Sequence, residues 1–416
     1  MKPEISICIP SYNHGKYIYK TIQSILDQSF QDFEIIISDD NSQDNTIEEI
    51  EKFNDPRIKL IKNNINRGPS NNLNIAIKNT NCNLVTLIGS DDKMHKDRLK
   101  ESYKFIQENN FDVVFSYIET IDSNDKIIEH PILNLCNKSI NRIEMLRHFF
   151  FNGNFAPAVT AVIRKDIFDK IGYFHSSLIQ LQDFEMWLRI LVNNYKIGFL
   201  EEKLTFYRIH DKNLSSGGDN KSEFLSRCYV ENSIIFKNFL LLNIDDFKEV
   251  FKNELEKFKL INPKYTPFYI GSIAFDHFNN LYLNNQIQPW MFFYNNFAIN
   301  TIFDFFKNET LSDDIHHDLG IKFQNFYNIS GGNELMKHFI SSTKQNNDLA
   351  NQNNDLVNQN NDLVNQNNDL VNQNNDLVNQ NNDLVNQNND LTNQNKLLKN
   401  NFHKKIKKFI KKIIKF

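Results

Sequence analysis

The sequence predicts an α/β fold: a mostly parallel, Rossmann-like sheet flanked by helices, followed by a helical region and a C-terminal coiled coil. Two observations predict the sheet and its flanking helices. Short apolar runs alternate strictly with amphipathic stretches over the first 120 residues, and this alternation favours a parallel sheet with right-handed crossovers. The runs are continuously apolar, as strands buried on both faces are. The coiled coil is predicted by a seven-residue repeat near the C-terminus.

The elements follow one another in a regular order. The first predicted helix places Ile18, Ile22 and Ile25 on one buried stripe. A Pro or a cluster of turn-forming residues ends each apolar run. The predicted strands are 5–10, 33–38, 57–61, 84–88, 112–120 and 158–164, and the predicted helices are 18–26, 46–53, 70–78 and 165–171.

Polar side chains follow three of these strands. Parallel strands place their carboxyl ends at one edge, where ligands bind, so loops 10–13, 39–42 and 90–92 are predicted to lie side by side. Adjacent carboxylates repel unless a cation or a donor network holds them, although an Asp-Asp pair can also be a solvated turn. The sequence has no Gly-x-Gly-x-x-Gly after the first strand and no Gly-Lys-Ser/Thr. Acids at this edge instead indicate Mg²⁺ or Mn²⁺ beside a diphosphate.

Charge and composition limit the possible partners. The formal net charge is −4, and setting aside the seven lysines of 404–416 leaves −11 for the rest, so nucleic acid is not an expected partner. The four cysteines have no paired spacing, which fits a reducing compartment. The sequence shows no signal peptide and no apolar run of roughly 18 residues. We therefore expect a cytoplasmic protein.

Three segments in this order, 6–13, 33–42 and 89–92, resemble a family 2 glycosyltransferase of the GT-A type, and the resemblance runs to about residue 215. It implies that Pro10 and Tyr12 line the nucleotide base and that Asp40, with Asp39 beside it, hydrogen-bonds the base. It also implies that Asp91 and Asp92 bind the metal and the diphosphate. Gly89 replaces the first acid of the family's Asp-x-Asp-Asp pattern. A turn aromatic is the alternative for Tyr12, and a helix cap is the alternative for Asp39.

Two further segments resemble the family's later motifs. The segment 180–189 resembles an acidic motif in which Asp183 would be the general base, with Gln182 in place of the usual Glu. A carboxylate there can take the proton of a sugar hydroxyl, although Asp183 could also merely cap its helix. The segment 204–215 resembles the closing Tyr-Arg-x-His run. His210 is then a metal or diphosphate ligand, or else a structural histidine, and Arg208 contacts phosphate or forms a surface ion pair.

The C-terminal half has a different composition. We predict a catalytic domain at 1–215, a helical aromatic-rich region at 216–343, a heptad-repeat coiled coil at 344–400 and a basic amphipathic helix at 401–416. Leucines recur every seven residues from Leu349 to Leu391, which favours a homo-oligomer; an Asn-rich disordered spacer is the alternative. Apolar residues on one face of 404–416, with lysines around the other, favour an anionic membrane surface. Such an ending resembles the tails of some bacterial fucosyltransferases.

These features together predict an inverting enzyme at the inner face of the cell membrane. It would move a sugar from a nucleotide-sugar donor, expected to be UDP-linked, to a hydroxyl of a glycan or lipid-linked acceptor in cell-envelope synthesis. Two alternatives remain at this stage. One is a metal-dependent nucleotidyltransferase on a similar sheet, and the other is a coiled-coil membrane scaffold whose nucleotide-sugar-binding domain is inactive.

Overall fold

A computed structural model describes residues 3–213, 221–258 and 261–308, together with the isolated residues Lys396 and Lys404. Residues 1–310 form one compact unit and 311–416 a second. In the second unit the two described residues are helical and exposed. The predicted heptad repeat and basic tail otherwise lie outside the described residues.

The described residues form an eight-stranded mixed sheet with the strand order β3-β2-β1-β4-β7-β6-β8-β5. The first four strands are parallel, as predicted, and β6 pairs parallel with β8. β7 is antiparallel to both β4 and β6, and β5 is antiparallel to β8. The sheet is therefore mixed, because the alternation that predicts parallel pairing ends after β4. The strands are β1 Ile5–Ser11, β2 Phe33–Asp39, β3 Ile58–Lys62, β4 Leu84–Leu87, β5 Lys93–Met94, β6 Val113–Ile121, β7 Val162–Arg164 and β8 Ile197–Arg208.

Helices flank the sheet and continue beyond it. The predicted strand at 158–164 is correct only in its second half, because Ala158–Thr160 forms a 3-10 turn. In the described part of the chain, no helix combines the length and the apolar character needed to cross a membrane. The helices are α1 Ile18–Leu26, α2 Thr46–Glu51, α3 Pro69–Lys78, α4 Arg98–Asn109, α5 Pro131–Asn134, α6 Arg142–Asn152, α7 Asp166–Ile171, α8 Gln182–Val192, α9 Lys221–Ile235, α10 Ile244–Val250, α11 Lys252–Leu255, α12 Thr266–Leu283 and α13 Phe293–Asn308.

The main core lies between the central strands and the helices that cover them. Ile5, Ile7 and Ile9 of β1 are fully buried, and so are Ile18 and Ile22 of α1. Burying each such side chain contributes about 1.5–3 kcal/mol. The core fixes β1 and α1 rigidly, and with them the turn between these two elements.

The helical region packs on the catalytic part through aromatic rings. Tyr294 of α13 donates its hydroxyl hydrogen to the Phe150 carbonyl of α6, and Phe236 contacts the rings of Phe150, Phe293 and Tyr294. Phe293 and Tyr294 are buried by this packing, at 1% and 3% exposed. Residues 221–308 therefore belong to the same folded body as the sheet.

Candidate active site

Three loops meet at the carboxyl edge of the parallel strands, as the sequence predicts. The Asp40 amide donates to the Ser11 carbonyl at 2.8 Å, and the Asn13 amide donates to Ser42 Oγ at 2.9 Å. His14 Nδ1 lies 2.7 Å from Ser90 Oγ. Asn13 and Asn41 both have positive φ angles, which asparagine tolerates better than most residues. The polar turn residues are therefore what allows the three loops to fold against each other.

The two acids at the end of β2, Asp39 and Asp40, hold these loops in place. Asp39 accepts hydrogen bonds from the amide and the hydroxyl of Ser42, at 2.9 and 2.6 Å. Asp40 accepts from the amides of Arg67 and Gly68, both at 2.9 Å, and from the Asn63 side chain. Both residues predicted to contact a nucleotide base thus already bind protein donors. Their placement makes them the supports of the edge at which a nucleotide would lie.

Pro10 and Tyr12 lie beside them. Pro10 is the sixth residue of β1 and pairs with Ser38 of β2. Tyr12 follows the end of β1 and is 44% exposed. An exposed ring at this edge is suited to stacking on a planar base, so Tyr12 is the predicted nucleotide contact that the fold leaves most open.

Asp91 lies between two histidines. Its Oδ2 is 2.9 Å from His210 Nε2, and its Oδ1 is 3.9 Å from His14 Nδ1. One ligand atom from each of the three residues lies within 4.8 Å of the others. Burial acts to raise the pKa of Asp91, but the His210 hydrogen bond and the charges of both histidines hold that pKa below its usual value. We call His14, Asp91 and His210 the His–Asp–His cluster.

Residues around the cluster orient its rings. Tyr17 stacks on His210 with ring centroids 4.9 Å apart. The Arg208 guanidinium lies over the Tyr17 ring, 4.9 Å from its centroid. Arg208 is fully buried and donates to the carbonyls of Asp91 and Asp122. The ion pair predicted for Arg208 is present, because its Nη2 lies 2.5 Å from Asp125 Oδ1, but the guanidinium is buried and does not lie at the surface. The phosphate contact of Arg208 stays a prediction.

Asp92 turns into the protein. It is 3% exposed, and its Oδ1 accepts from the Arg208 amide at 2.8 Å. Burial, and then the neighbouring Asp91, raise the pKa of Asp92 well above its usual value, while the guanidinium groups of Arg208 and Arg98 act in the opposite direction. Asp92, predicted as a metal ligand, is not part of the His–Asp–His cluster defined by the described residues.

Gly89 explains how both carboxylates fit. A Cβ atom at this position would lie 2.6 Å from Asp91 Oδ1 and 2.7 Å from Asp92 Oδ2. The two carboxylates therefore occupy space that a side chain at position 89 would need. Because Gly89 stands where the family pattern has its first acid, the remaining two carboxylates, Asp91 and Asp92, can pack against this position.

Asp183 occupies the first turn of α8. Its carboxylate accepts from the Phe184 amide at 2.7 Å and also bonds the Ala158 amide and the Asn154 side chain. Burial raises the pKa of Asp183 to about 6. Such a carboxylate is ionised at neutral pH and is a stronger base than an ordinary aspartate.

The fold brings Asp183 towards the same edge as the cluster. Ala161 accepts hydrogen bonds from the Leu87 amide and the Thr86 hydroxyl at the end of β4. Because β7 is antiparallel to β4, the residues just before Ala161 extend towards the carboxyl end of β4. Asp183 bonds one of these, Ala158. Asp183 is nevertheless outside the His–Asp–His cluster.

His14 is the candidate ligand that sequence reasoning missed. It stands in the turn after β1, two residues beyond Tyr12, and a turn histidine has an ordinary structural explanation. Its position at the carboxyl end of a central strand is the signal that could have identified it. Only the folded chain shows that His14 and His210, which are 196 positions apart in the sequence, flank the same carboxylate.

Comparison with known proteins gives the class of this fold and site. The crystal structure of S. aureus TarS 1-349 in complex with UDP-GlcNAc superposes with a TM-score of 0.50 at 18% identity, over 72% of this chain and 89% of that one, which shows the shared fold. Residues 6–172 match the family described as Glycosyl transferase family 2.

Two relatives from Escherichia coli carry the comparison further. The UDP-Glc:alpha-D-GlcNAc-diphosphoundecaprenol beta-1,3-glucosyltransferase WfaP is 30% identical over 214 residues, 51% of this chain and 80% of the relative. A glucosyltransferase with the same described activity, WfgD, is 25% identical over 60% of this chain and 97% of its own length. The fold and these relatives show that the protein is an enzyme of the glycosyltransferase class. The chain belongs to glycosyltransferase family 2, which excludes the nucleotidyltransferase alternative.

Proposed function

We propose that this enzyme transfers a sugar, with inversion, from a UDP-linked donor to a hydroxyl of a lipid-linked or other cell-envelope glycan. The observation that carries the proposal is the His–Asp–His cluster at the edge where loops 10–13, 39–42 and 90–92 meet. Two E. coli relatives are named for UDP-glucose and a diphosphoundecaprenol-linked acceptor, which supports the donor and acceptor classes.

The chemistry needs a base on the acceptor side. Asp183 accepts the proton of the acceptor hydroxyl while the hydroxyl oxygen forms a bond to the anomeric carbon. The bond from that carbon to the diphosphate oxygen breaks on the opposite face, and its electron pair leaves with the nucleoside diphosphate. Burial that raises the pKa of Asp183 to about 6 strengthens it as a base without preventing ionisation at pH 7.

The donor side needs positive charge. His14, Asp91 and His210 are the residues that would hold a divalent ion, which would offset the charge of the departing diphosphate. Of the two predicted ions, Mn²⁺ fits this set better than Mg²⁺, because Mg²⁺ prefers oxygen ligands and two of the three ligands here are imidazoles. The Asp91 carboxylate, with its lowered pKa, stays ionised and available to a cation.

The decisive experiment is a panel of UDP- and GDP-sugars with a synthetic GlcNAc-diphospholipid acceptor, with nucleotide release and product as readouts. The Asp183→Asn variant is compared with wild type and with Asp166→Asn, an exposed acid in the first turn of α7. We expect metal-dependent turnover that Asp183→Asn reduces at least a hundredfold and Asp166→Asn leaves intact. No donor bound or consumed by wild type would refute the proposal.

For the C-terminal segments, we propose oligomerisation through 344–400 and peripheral membrane binding through 401–416. Both proposals rest on the sequence alone, since these residues, apart from Lys396 and Lys404, lie outside the described part of the chain. Each lysine near an anionic surface contributes on the order of 1 kcal/mol. A chain truncated after residue 403 should lose sedimentation with vesicles containing anionic lipid; full retention would refute the membrane proposal. A chain truncated after residue 343 should become monomeric, and an unchanged oligomer would refute the coiled coil.

A further inference from the structure

We propose that Glu231, on helix α9, is a positioning residue for Asp183; this inference rests on the proposed role of Asp183 as the base. Glu231 is 4% exposed, although it is charged. Its Oε1 accepts from the Ile179 amide at 2.8 Å, and its Oε2 accepts from the Leu181 amide at 2.7 Å. The Gln180 amide lies within 3.1 Å of both oxygens. One carboxylate thus collects three consecutive amides.

The three amides belong to the segment that leads directly into α8. This helix begins at Gln182, and Asp183 is its second residue. The direction of the Asp183 side chain therefore depends on how the preceding residues are held. Glu231 binds this segment up to Leu181, the last residue before α8.

Helix α3 holds the beginning of the same segment. Asn74 exchanges two hydrogen bonds with the backbone of Phe174, at 2.8 and 3.0 Å, and Ser70 donates its hydroxyl hydrogen to the Leu178 carbonyl. Residues 174–178 are therefore tied to the nucleotide side of the domain, and 179–181 are tied to α9. α3 thus holds the end of the segment farther from Asp183, and Glu231 holds the nearer end.

The chemistry of this contact requires a carboxylate. Hydrogen bonds from amides to an ionised acceptor are about twice as strong as neutral ones, and the three donors lie in a largely water-free place, where losing the acceptor is costly. The negative charge also lies at the amino-terminal end of α8, which the helix dipole favours. Glutamine would offer one acceptor oxygen and direct an NH₂ group at the remaining amides.

This contact gives the helical region a part in the reaction. Glu231 lies on α9, beyond residues 6–172 where the family match ends. Phe236, the residue directly after this helix, contacts Phe150 of α6 and Phe293 of α13. The region from 221 onward thus supports the base and does not only cover apolar surface. Removing this support should alter catalysis more than donor binding, since the nucleotide loops make no use of Glu231.

The test uses the full chain with Glu231→Gln, Glu231→Asp and Asp183→Asn, and Asn232→Ala as the matched control. Asn232 is equally buried on the same helix, but its side chain bonds the Cys228 carbonyl of α9 itself. The measurements are kcat, KM for UDP-glucose (or for the donor that the panel identifies), the pH profile of kcat, and the folded fraction from thermal unfolding.

For Glu231→Gln we expect kcat to fall on the order of ten- to hundredfold, the scale of a displacement of about 1 Å, with KM for the donor within twofold. The acid limb of kcat should move to lower pH, because burial raises the pKa of Asp183 and a displaced Asp183 gains solvent. Glu231→Asp should recover part of the rate, and Asn232→Ala should retain it.

Two results would overturn the inference and can be told apart. In the first, Asp183→Asn is inactive, but Glu231→Gln keeps kcat within twofold of wild type or loses no more activity than Asn232→Ala does at equal folded fraction. Glu231 is then not a positioning residue, and the proposed function stands. If Asp183→Asn itself retains activity, the assignment of the base fails and this inference fails with it.

Discussion

Asp183→Asn should make the protein more stable at neutral pH while removing its activity. The reason is the environment of the carboxylate: burial raises its pKa from 3.8 to about 6. The folded protein therefore holds a proton on Asp183 at pH values where the unfolded chain has lost it. Stability falls as pH rises through this window, and the full penalty is present above pH 6.

The size of the effect follows from the shift. A rise from 3.8 to about 6 corresponds to roughly 3 kcal/mol of lost stability. This is an upper value, because the Asp183 side chain retains partial solvent access. The asparagine carbonyl oxygen can still accept from the Phe184 amide, so the substitution keeps the contact at 2.7 Å and removes the buried charge.

The assay is chemical denaturation at several pH values between 3.5 and 8. The variant should gain stability relative to wild type as pH rises from about 4 to 6, with a constant gain of up to about 3 kcal/mol above that. Asp166→Asn on α7 should gain no stability, because its carboxylate is exposed and paired with Lys170. A stability difference at Asp183 that is independent of pH, or a loss at pH 8, would refute the reasoning.

Three further predictions follow from the site. The kcat of wild type should fall about tenfold from its plateau to pH 5, because Asp183 with a pKa of about 6 is then mostly protonated. His14→Ala should weaken Mn²⁺ binding, measured by calorimetry or metal-dependent turnover, by at least tenfold, because it removes one of three ligand atoms. Arg98→Met should cost about 3–5 kcal/mol of unfolding free energy where Asp92 is ionised, and less as the pH falls, because the fully buried Arg98 offsets the charge of Asp92.

Matched controls separate these effects from general damage. His175→Ala changes an exposed histidine outside the cluster and should leave Mn²⁺ binding intact. Arg57→Met removes a partly exposed pair with Asp55, which should cost no more than about 1 kcal/mol. Equal losses for Arg57→Met and Arg98→Met would contradict the role given to Arg98, and a pH-independent kcat down to pH 4.5 would contradict the role given to Asp183.

Sequence alone was sufficient for the parallel half of the sheet. Continuous apolar runs such as 5–9 and 35–37 need burial on both faces, and the stripe of Ile18, Ile22 and Ile25 needs a core to cover it. These local requirements predicted parallel strands and the convergence of three loops, whereas the order of the strands came from the structure. They also predicted that acids after β2 and β4 would lie at one edge, and the motifs there indicated the family that the comparisons show.

Other features depended on contacts between distant residues. β5 has two residues and β7 has three, too few for any periodicity, so the antiparallel half of the sheet was not predictable. The sequence also could not distinguish the two carboxylates, because Asp91 and Asp92 are adjacent and chemically identical. Only the folded chain places Asp91 between His14 and His210 and surrounds Asp92 with Arg98 and the Arg208 amide.

The sequence by itself determined the class of fold, the family and the edge at which the acids gather, because these depend on hydrophobic periodicity and on motifs written in short segments. The tertiary structure decided the environment of each acid. Burial sets the pKa of Asp183, and the presence of a guanidinium or an imidazole distinguishes Asp92 from Asp91. It also showed that Glu231 of the helical region holds the segment before α8, a contact between residues about 50 positions apart in sequence. Electrostatic environment is a property of three-dimensional neighbours, and for this site those neighbours come from every part of the described fold.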